Sequence, residues 1–244
     1  MRPGLKAFLG AALACLLFLT AALVMAQDNT VNLQVRPLIS FNDPAQANWI
    51  VQASKFSTQG FPESKLIKTW PDVLYGRNKD NKELNSLAIH SKFDRKGYNY
   101  IEIIPAAKDS SGNLVPKSIP IPGKVQRMDL WIWGSNYNYK IDLFLRDYRG
   151  IDHVLHFGSL EFMGWKDLAV TVPGAIPQSR RYIPQFQGLE LTKLVIWTAP
   201  DEKVDDYWVF LNDLTILTDL YQTRFDGENL ADPDYLNQLW QAKQ

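Results

Sequence analysis

Val125-Gln126-Arg127-Met128-Asp129-Leu130-Trp131-Ile132-Trp133-Gly134-Ser135-Asn136-Tyr137-Asn138-Tyr139-Lys140-Ile141-Asp142-Leu143-Phe144-Leu145-Arg146-Asp147 decides the fold class. Its apolar residues recur at every second position. Met128, Leu130 and Ile132 fall on one side of an extended chain, and Asp129, Trp131 and Trp133 on the other. Beyond Gly134-Ser135-Asn136 the alternation resumes, with Tyr139, Ile141, Leu143 and Leu145 on one side and Lys140, Asp142, Phe144 and Arg146 on the other. The period excludes a helix, whose apolar stripe repeats at three and four residues. Two strands joined by a Gly-Ser-Asn turn read as a hairpin with an aliphatic side and a mixed side of Trp, Phe and charges.

Outward from this stretch, β-branched and aromatic runs bounded by Gly, Pro, Asn and Asp predict further strands near 33–41, 87–93, 98–104, 153–157, 166–172, 191–198 and 208–217. Many short strands with irregular loops and no internal repeat point to an all-β, jelly-roll-like β-sandwich resembling carbohydrate-binding modules. Three stretches depart from the strand pattern. Residues 49–85, broken by Gly60, Pro62, Pro71 and Gly76, read as a long loop excursion with room for one short helix. Residues 108–124 read as a turn at Asp109-Ser110-Ser111-Gly112-Asn113 entering an extended, Pro-rich edge. In the tail, 231–244, Asp232 is placed to cap a helix and Pro233 to begin it, and Leu236, Leu239 and Trp240 share one face. That stripe covers either its own domain or a neighbouring subunit, because so short a helix is marginal alone.

Residues 1–26 have the pattern of an export signal: Arg2 and Lys6, an uncharged apolar run from Ala7 to Val24, and a small-residue cleavage pattern at Val24-Met25-Ala26. The expected organisation is a cleaved signal at 1–26, one sandwich domain at 27–230 and a helical tail at 231–244. Cleavage removes Cys15, the sole cysteine, so no disulfide is expected and stability must come from packing or assembly. It also removes two basic residues from a chain with 26 Lys+Arg and 26 Asp+Glu, leaving a slightly acidic protein with no feature that attracts nucleic acid, and no membrane contact is expected once the signal is gone.

No nucleophile elbow, phosphate loop, dinucleotide glycine triplet or His-Glu-x-x-His pattern occurs. His153 and His156, three apart on one strand, point to opposite faces and do not converge on a metal. The carboxylates Asp129, Asp142, Asp147, Asp152, Glu161, Asp167, Asp205, Asp206 and Asp213 are scattered, and no pair is singled out for glycoside chemistry. No catalytic, cofactor-binding or metal-binding pattern is therefore singled out, although a sandwich could still bring two carboxylates face to face. The mixed side of the central stretch stands out, with Asp129, Trp131, Trp133, Lys140, Asp142, Phe144 and Arg146 as candidate contacts for a sugar ring or a protein, and Leu236, Leu239 and Trp240 as a second candidate surface. Burial of the two Trp residues under another layer is the alternative.

The central block resembles a known family. Leu130-Trp131-Ile132-Trp133-Gly134-Ser135-Asn136-Tyr137-Asn138-Tyr139, Leu145-Arg146-Asp147-Tyr148-Arg149-Gly150, His153-Val154-Leu155, Gly158-Ser159-Leu160-Glu161-Phe162-Met163-Gly164-Trp165-Lys166-Asp167-Leu168, Val172-Pro173-Gly174-Ala175-Ile176-Pro177-Gln178 and the closing Trp208-Val209-Phe210-Leu211-Asn212-Asp213-Leu214 are similar to the spirochaete flagellar filament outer layer protein A family. The resemblance implies an exported, non-enzymatic sheath subunit of periplasmic flagella. Its partners would be the flagellin core and other sheath subunits, and its contribution would be to filament stiffness, shape and motility. A periplasmic carbohydrate-binding module is the alternative reading.

Overall fold

The chain divides into two units, Met1–Asn32 and Leu33–Gln244, and the sandwich belongs to the second. The computed structural model describes residues 32–42, 48–77, 84–178, 180–182, 185–220, 230 and 233–241. The expected signal segment and the expected helix cap at Asp232 lie outside them.

Fifteen strands are described: β1 (Leu33–Ile39), β2 (Trp49–Ala53), β3 (Glu63–Ile67), β4 (Ser86–Ser91), β5 (Tyr100–Lys108), β6 (Leu114–Pro116), β7 (Ile119–Ile121), β8 (Lys124–Ser135), β9 (Lys140–Arg146), β10 (Asp152–Ser159), β11 (Met163–Thr171), β12 (Arg180–Tyr182), β13 (Gln185–Gln187), β14 (Leu189–Trp197) and β15 (Tyr207–Asp219). One sheet runs β11-β8-β15-β4-β3, with β1 also on β15. The other runs β10-β9-β14-β5-β2, with β6 on β5 and β7 on β14. Every pairing is antiparallel. The inward residues of both sheets form one apolar core, in which Met128, Ile132, Ile141, Leu143, Leu145, Ile196 and Leu211 are fully buried. Alternating burial along β8 and β15 is the direct imprint of their period-two sequence.

All nine expected strands are present with shifted ends. The expected loop at 49–85 also holds strands β2 and β3, beside a one-turn helix at Asp72–Tyr75. Both strands lie at sheet edges, and Glu-Ser-Lys-Leu-Ile lacks the alternation of a half-buried strand because its first three residues are exposed. In the Pro-rich segment, Asp109 Oδ1 accepts the Ser111 and Asn113 amides at 2.8 Å each, making the expected turn. Beyond it, β6 and β7 extend two different strands at the rim.

The expected hairpin does not form. β8 belongs to one sheet and β9 to the other. A two-residue hairpin turn needs a special backbone at both central positions. Here Asn136 takes a positive φ of 62° and its amide donates to the Phe162 carbonyl at 2.9 Å, turning the chain away from β8. Tyr137 and Tyr139 then cross between the layers, packed edge to face at 5.4 Å, with Tyr139 fully buried against Tyr207 at 4.5 Å. Their hydroxyls donate to the carbonyls of Asp205 and Lys203 at 2.5 and 2.7 Å. The buried Tyr139 and the half-buried Tyr137, each with its hydroxyl bonded, hold the crossover in place.

β15 changes neighbours along its length. Tyr207–Leu211 pairs with β4, and Leu214–Asp219 with β1. At the junction Asn212 is fully buried, and its Nδ2 donates to the Asn85 carbonyl at 3.1 Å and to Ser86 Oγ at 2.9 Å. The bulged Asp213 accepts a short hydrogen bond from the Tyr75 hydroxyl, which fastens the Asp72–Tyr75 helix to the sandwich.

Candidate functional site: two outward faces

Because β8 and β9 lie in different sheets, the seven central candidates separate onto opposite faces of the sandwich. Asp129, Trp131 and Trp133 lie on the face of β8, while Lys140, Asp142, Phe144 and Arg146 lie on the face of β9. The single mixed surface expected from the sequence is therefore corrected to two surfaces, back to back across the core.

On the first face, strand register places Trp165 of β11 beside Trp133 of β8, and Phe210 of β15 on its other side. Trp133 meets Phe210 edge to face at 5.1 Å. Phe210 lies parallel to Trp208 at 6.4 Å, Trp208 stacks on His90 at 3.8 Å, and Phe61 meets His90 edge-on at 5.0 Å. Trp131 extends the row toward Asp167. Trp131, Trp133, Trp165, Trp208 and Phe210 are half-buried, not hidden beneath another layer. Asp206, at a φ of 56°, accepts from His90 Nε2 at 2.7 Å and Trp208 Nε1 at 3.1 Å. The His90 bond, with Trp208 adding, holds the Asp206 carboxyl below its ordinary range. Loss of solvation, reinforced by the Asp167 charge, pushes the Asp129 carboxyl up.

Between Trp208 and Phe210 the row leaves no slot for a further ring. Ring atoms in contact sit about 3.5–4 Å apart, so a sugar between two rings needs a gap of about 7 Å. One side of Trp208 is taken by His90 at 3.8 Å, and the 6.4 Å spacing to Phe210 leaves no such gap.

The second face is more polar. Arg146 grips Asp152 through two hydrogen bonds of 2.9 and 3.3 Å. Lys193 Nζ lies 4.9 Å from the centre of the half-buried Phe144 ring and 2.5 Å from Glu102 Oε1, while Gln52 donates to the other Glu102 oxygen at 2.7 Å. Burial opposes ionisation of Glu102, but Lys193 and Gln52 outweigh it and hold the carboxyl below its ordinary range. Asp142 is only 8% exposed, because it is covered by two donors: His156 Nδ1 at 2.7 Å and Trp197 Nε1 at 2.9 Å. It orients these side chains and is not itself an open contact. Trp197 stands across from the exposed Lys140 and is flanked edge-on by Tyr100 at 5.7 Å.

His153 and His156 bond different carboxylates, Asp147 and Asp142, as their opposite-face placement requires. Among the described residues no cluster of His, Cys, Asp or Glu could hold a metal ion, and no helix is long and apolar enough to cross a membrane. The tail forms a helix at Pro233–Gln241, where Leu236 is half-buried, Leu239 is 48% exposed and Trp240 is 92% exposed. Trp165, Trp197, Trp208, Phe210 and His90 were not among the expected contacts. Alternation in β14 and β15 marks their side of the strand, but only pairing reveals which rings align.

These features define a β-sandwich with two chemically different outer faces. The model of the family "Flagellar filament outer layer protein Flaa" matches residues 41–226, and the chain belongs to that family. A "Putative flagellar filament outer layer-like protein" of Brachyspira hyodysenteriae is 24% identical over 158 residues, covering 65% of this chain and 68% of the relative. Among solved structures, the chain is similar to TmCBM61, a carbohydrate-binding module solved in complex with β-1,4-galactotriose, at 15% identity and a TM-score of 0.41, covering 74% of this chain and 97% of the module. It is also similar to the family 11 carbohydrate-binding module of a cellulosomal cellulase of Clostridium thermocellum, at 10% identity and a TM-score of 0.44, covering 78% and 98% respectively. The chain is thus a member of the filament outer layer family built as a two-sheet β-sandwich.

Proposed function

We propose that the protein is a non-catalytic sheath subunit that coats the flagellin core of periplasmic flagella and contributes to filament stiffness, shape and motility. The observation that supports this most directly is the pair of dissimilar surfaces on opposite sides of one core, an aromatic ridge through Trp131, Trp133 and Phe210 and a charged face through Lys140, Phe144 and Arg146. A coat subunit touches the filament core and its own neighbours at once, and repetition makes modest contacts sufficient. In this reading, residues 1–26 direct export and are removed, 27–230 form the sheath domain, and the tail at 231–244 contacts a neighbouring subunit. Co-sedimentation of the exported chain with filaments stripped of their sheath tests the reading. Saturable binding supports it, and absence of binding at the highest soluble concentration contradicts it.

One observation favours a second reading, a periplasmic carbohydrate-binding module. Trp197 is fixed by Asp142 yet 36% exposed, beside Lys140 and His156. A glycan array on the same sample separates the readings: sugar binding without filament binding favours the module, and a blank array with filament binding favours the sheath.

A further inference from the structure

The helix Pro233–Gln241 carries, one residue before its end, the 92% exposed Trp240, which its own chain leaves uncovered. On the first face, a groove of about 340 Å³ is lined by Glu63, Ser64, Lys65, Ala88, His90 and Trp208. Trp208, with His90 stacked on one of its ring faces, gives the groove an aromatic wall that suits another aromatic ring. The last turn of the helix holds no basic residue, so its partly negative carbonyl end is uncompensated within the helix itself, Lys243 lying two residues further along the chain. Lys65 and Glu63 both stand exposed on the groove wall, and neither takes part in a salt bridge among the described residues. A Trp seated in the groove from the end of a helix brings that carbonyl end toward such a cation.

We propose that Trp240 of one subunit seats in the Lys65–His90–Trp208 groove of the next, with Lys65 facing the carbonyls that end the helix. The occupant is a second copy of this chain, and the inference rests on the reading that sheath subunits contact one another. The 13-residue stretch from Leu220 to Asp232 has a fully extended reach of about 40 Å, ample to carry the helix beyond its own sandwich. Donor and acceptor surfaces differ: a reciprocal exchange between two chains closes a dimer, whereas the head-to-tail arrangement proposed here propagates, as a continuous coat requires. One Trp with an adjoining Leu buries far less than the roughly 1,200 Å² of a stable interface, so each contact is weak alone and holds by repetition.

Disulfide trapping tests this. In a full-length chain with Cys15→Ser, the variants Lys65→Cys and Gln241→Cys are combined and oxidised at high protein concentration, after a melting curve shows that the variant is folded. A ladder of dimers, trimers and higher species is expected, and adding Trp240→Ala should reduce it several-fold. A monomer cross-linked only within itself, a ladder indifferent to Trp240→Ala, or no ladder from the folded protein would each overturn the proposal. In the cysteine-free chain, a rise of sedimentation coefficient with concentration that Trp240→Ala abolishes is the second expected result. Neither assay contains filaments, so failure here is distinct from failure of filament binding.

Discussion

Asp129 sits on the outer row of β8 between Arg127 and Trp131, half-buried and held above the ordinary carboxylate range by lost solvation, with the Asp167 charge adding to the shift. The folded chain therefore takes up this proton more readily than the unfolded chain. Stability associated with Asp129 is lowest at neutral pH and rises as pH falls through the raised value toward the unfolded one. Asp129→Asn should raise the thermal midpoint at pH 7, and the gain should shrink as pH falls and vanish only by about pH 2, well below the unfolded value, where both states are protonated. A gain that is independent of pH would show that packing, not charge, is responsible. Gly134 offers a steric counterpart. A Cβ there would stand 2.6 Å from the Phe162 carbonyl oxygen and 2.9 Å from the Phe162 ring, so backbone must shift to admit it. Gly134→Ala should cost about 1–3 kcal/mol in urea denaturation. At this scale the sequence was informative about direction: Trp131 and Trp133 face outward from β8 as their alternation implies. It was silent about Asp142, whose burial comes from His156 and Trp197, residues 14 and 55 positions away.

The β8–β9 connection shows what alternation leaves open at the scale of elements. Period two assigns each residue a side of its own strand, but not the sheet in which that strand pairs. Gly134-Ser135-Asn136 has the composition of a hairpin turn, and the buried Tyr139 and Tyr207 decide against one. β2 and β3 escaped notice for a related reason, since edge strands bury too little to impose a pattern. The two faces make separate predictions. Trp131→Ala and Phe144→Ala remove half-buried rings from opposite sides, so each should weaken filament binding with little change in thermal midpoint, and in the double variant the losses should add. Loss confined to one variant would mean that only one face meets a partner. Deleting 231–244 should leave the midpoint nearly unchanged, because Trp240 contributes almost no burial, while reducing coating of filaments several-fold. A truncated chain that coats normally would remove the tail from the contact surface.

At the scale of the molecule, membership of the flagellar filament outer layer family and the sandwich fold agree with what was readable from the central block, whose Trp-rich β8 and β11 lie side by side in one sheet. Composition and alternation alone gave a sandwich; the family resemblance supplied the filament. The two-sided arrangement came from neither, because it depends on the crossover at Tyr137–Tyr139 that sends β8 and β9 into different layers. The central claim is that a subunit in the coat uses both outer faces at once. Hydroxyl-radical footprinting of the chain, free and bound to stripped filaments at saturating coverage, tests it most directly. Protection of Trp131, Trp133 and Phe210 together with Phe144 and Trp197 is the expected result, with the buried core unchanged. Protection of one face alone, with the other as reactive as in the free chain, would contradict the two-faced coat.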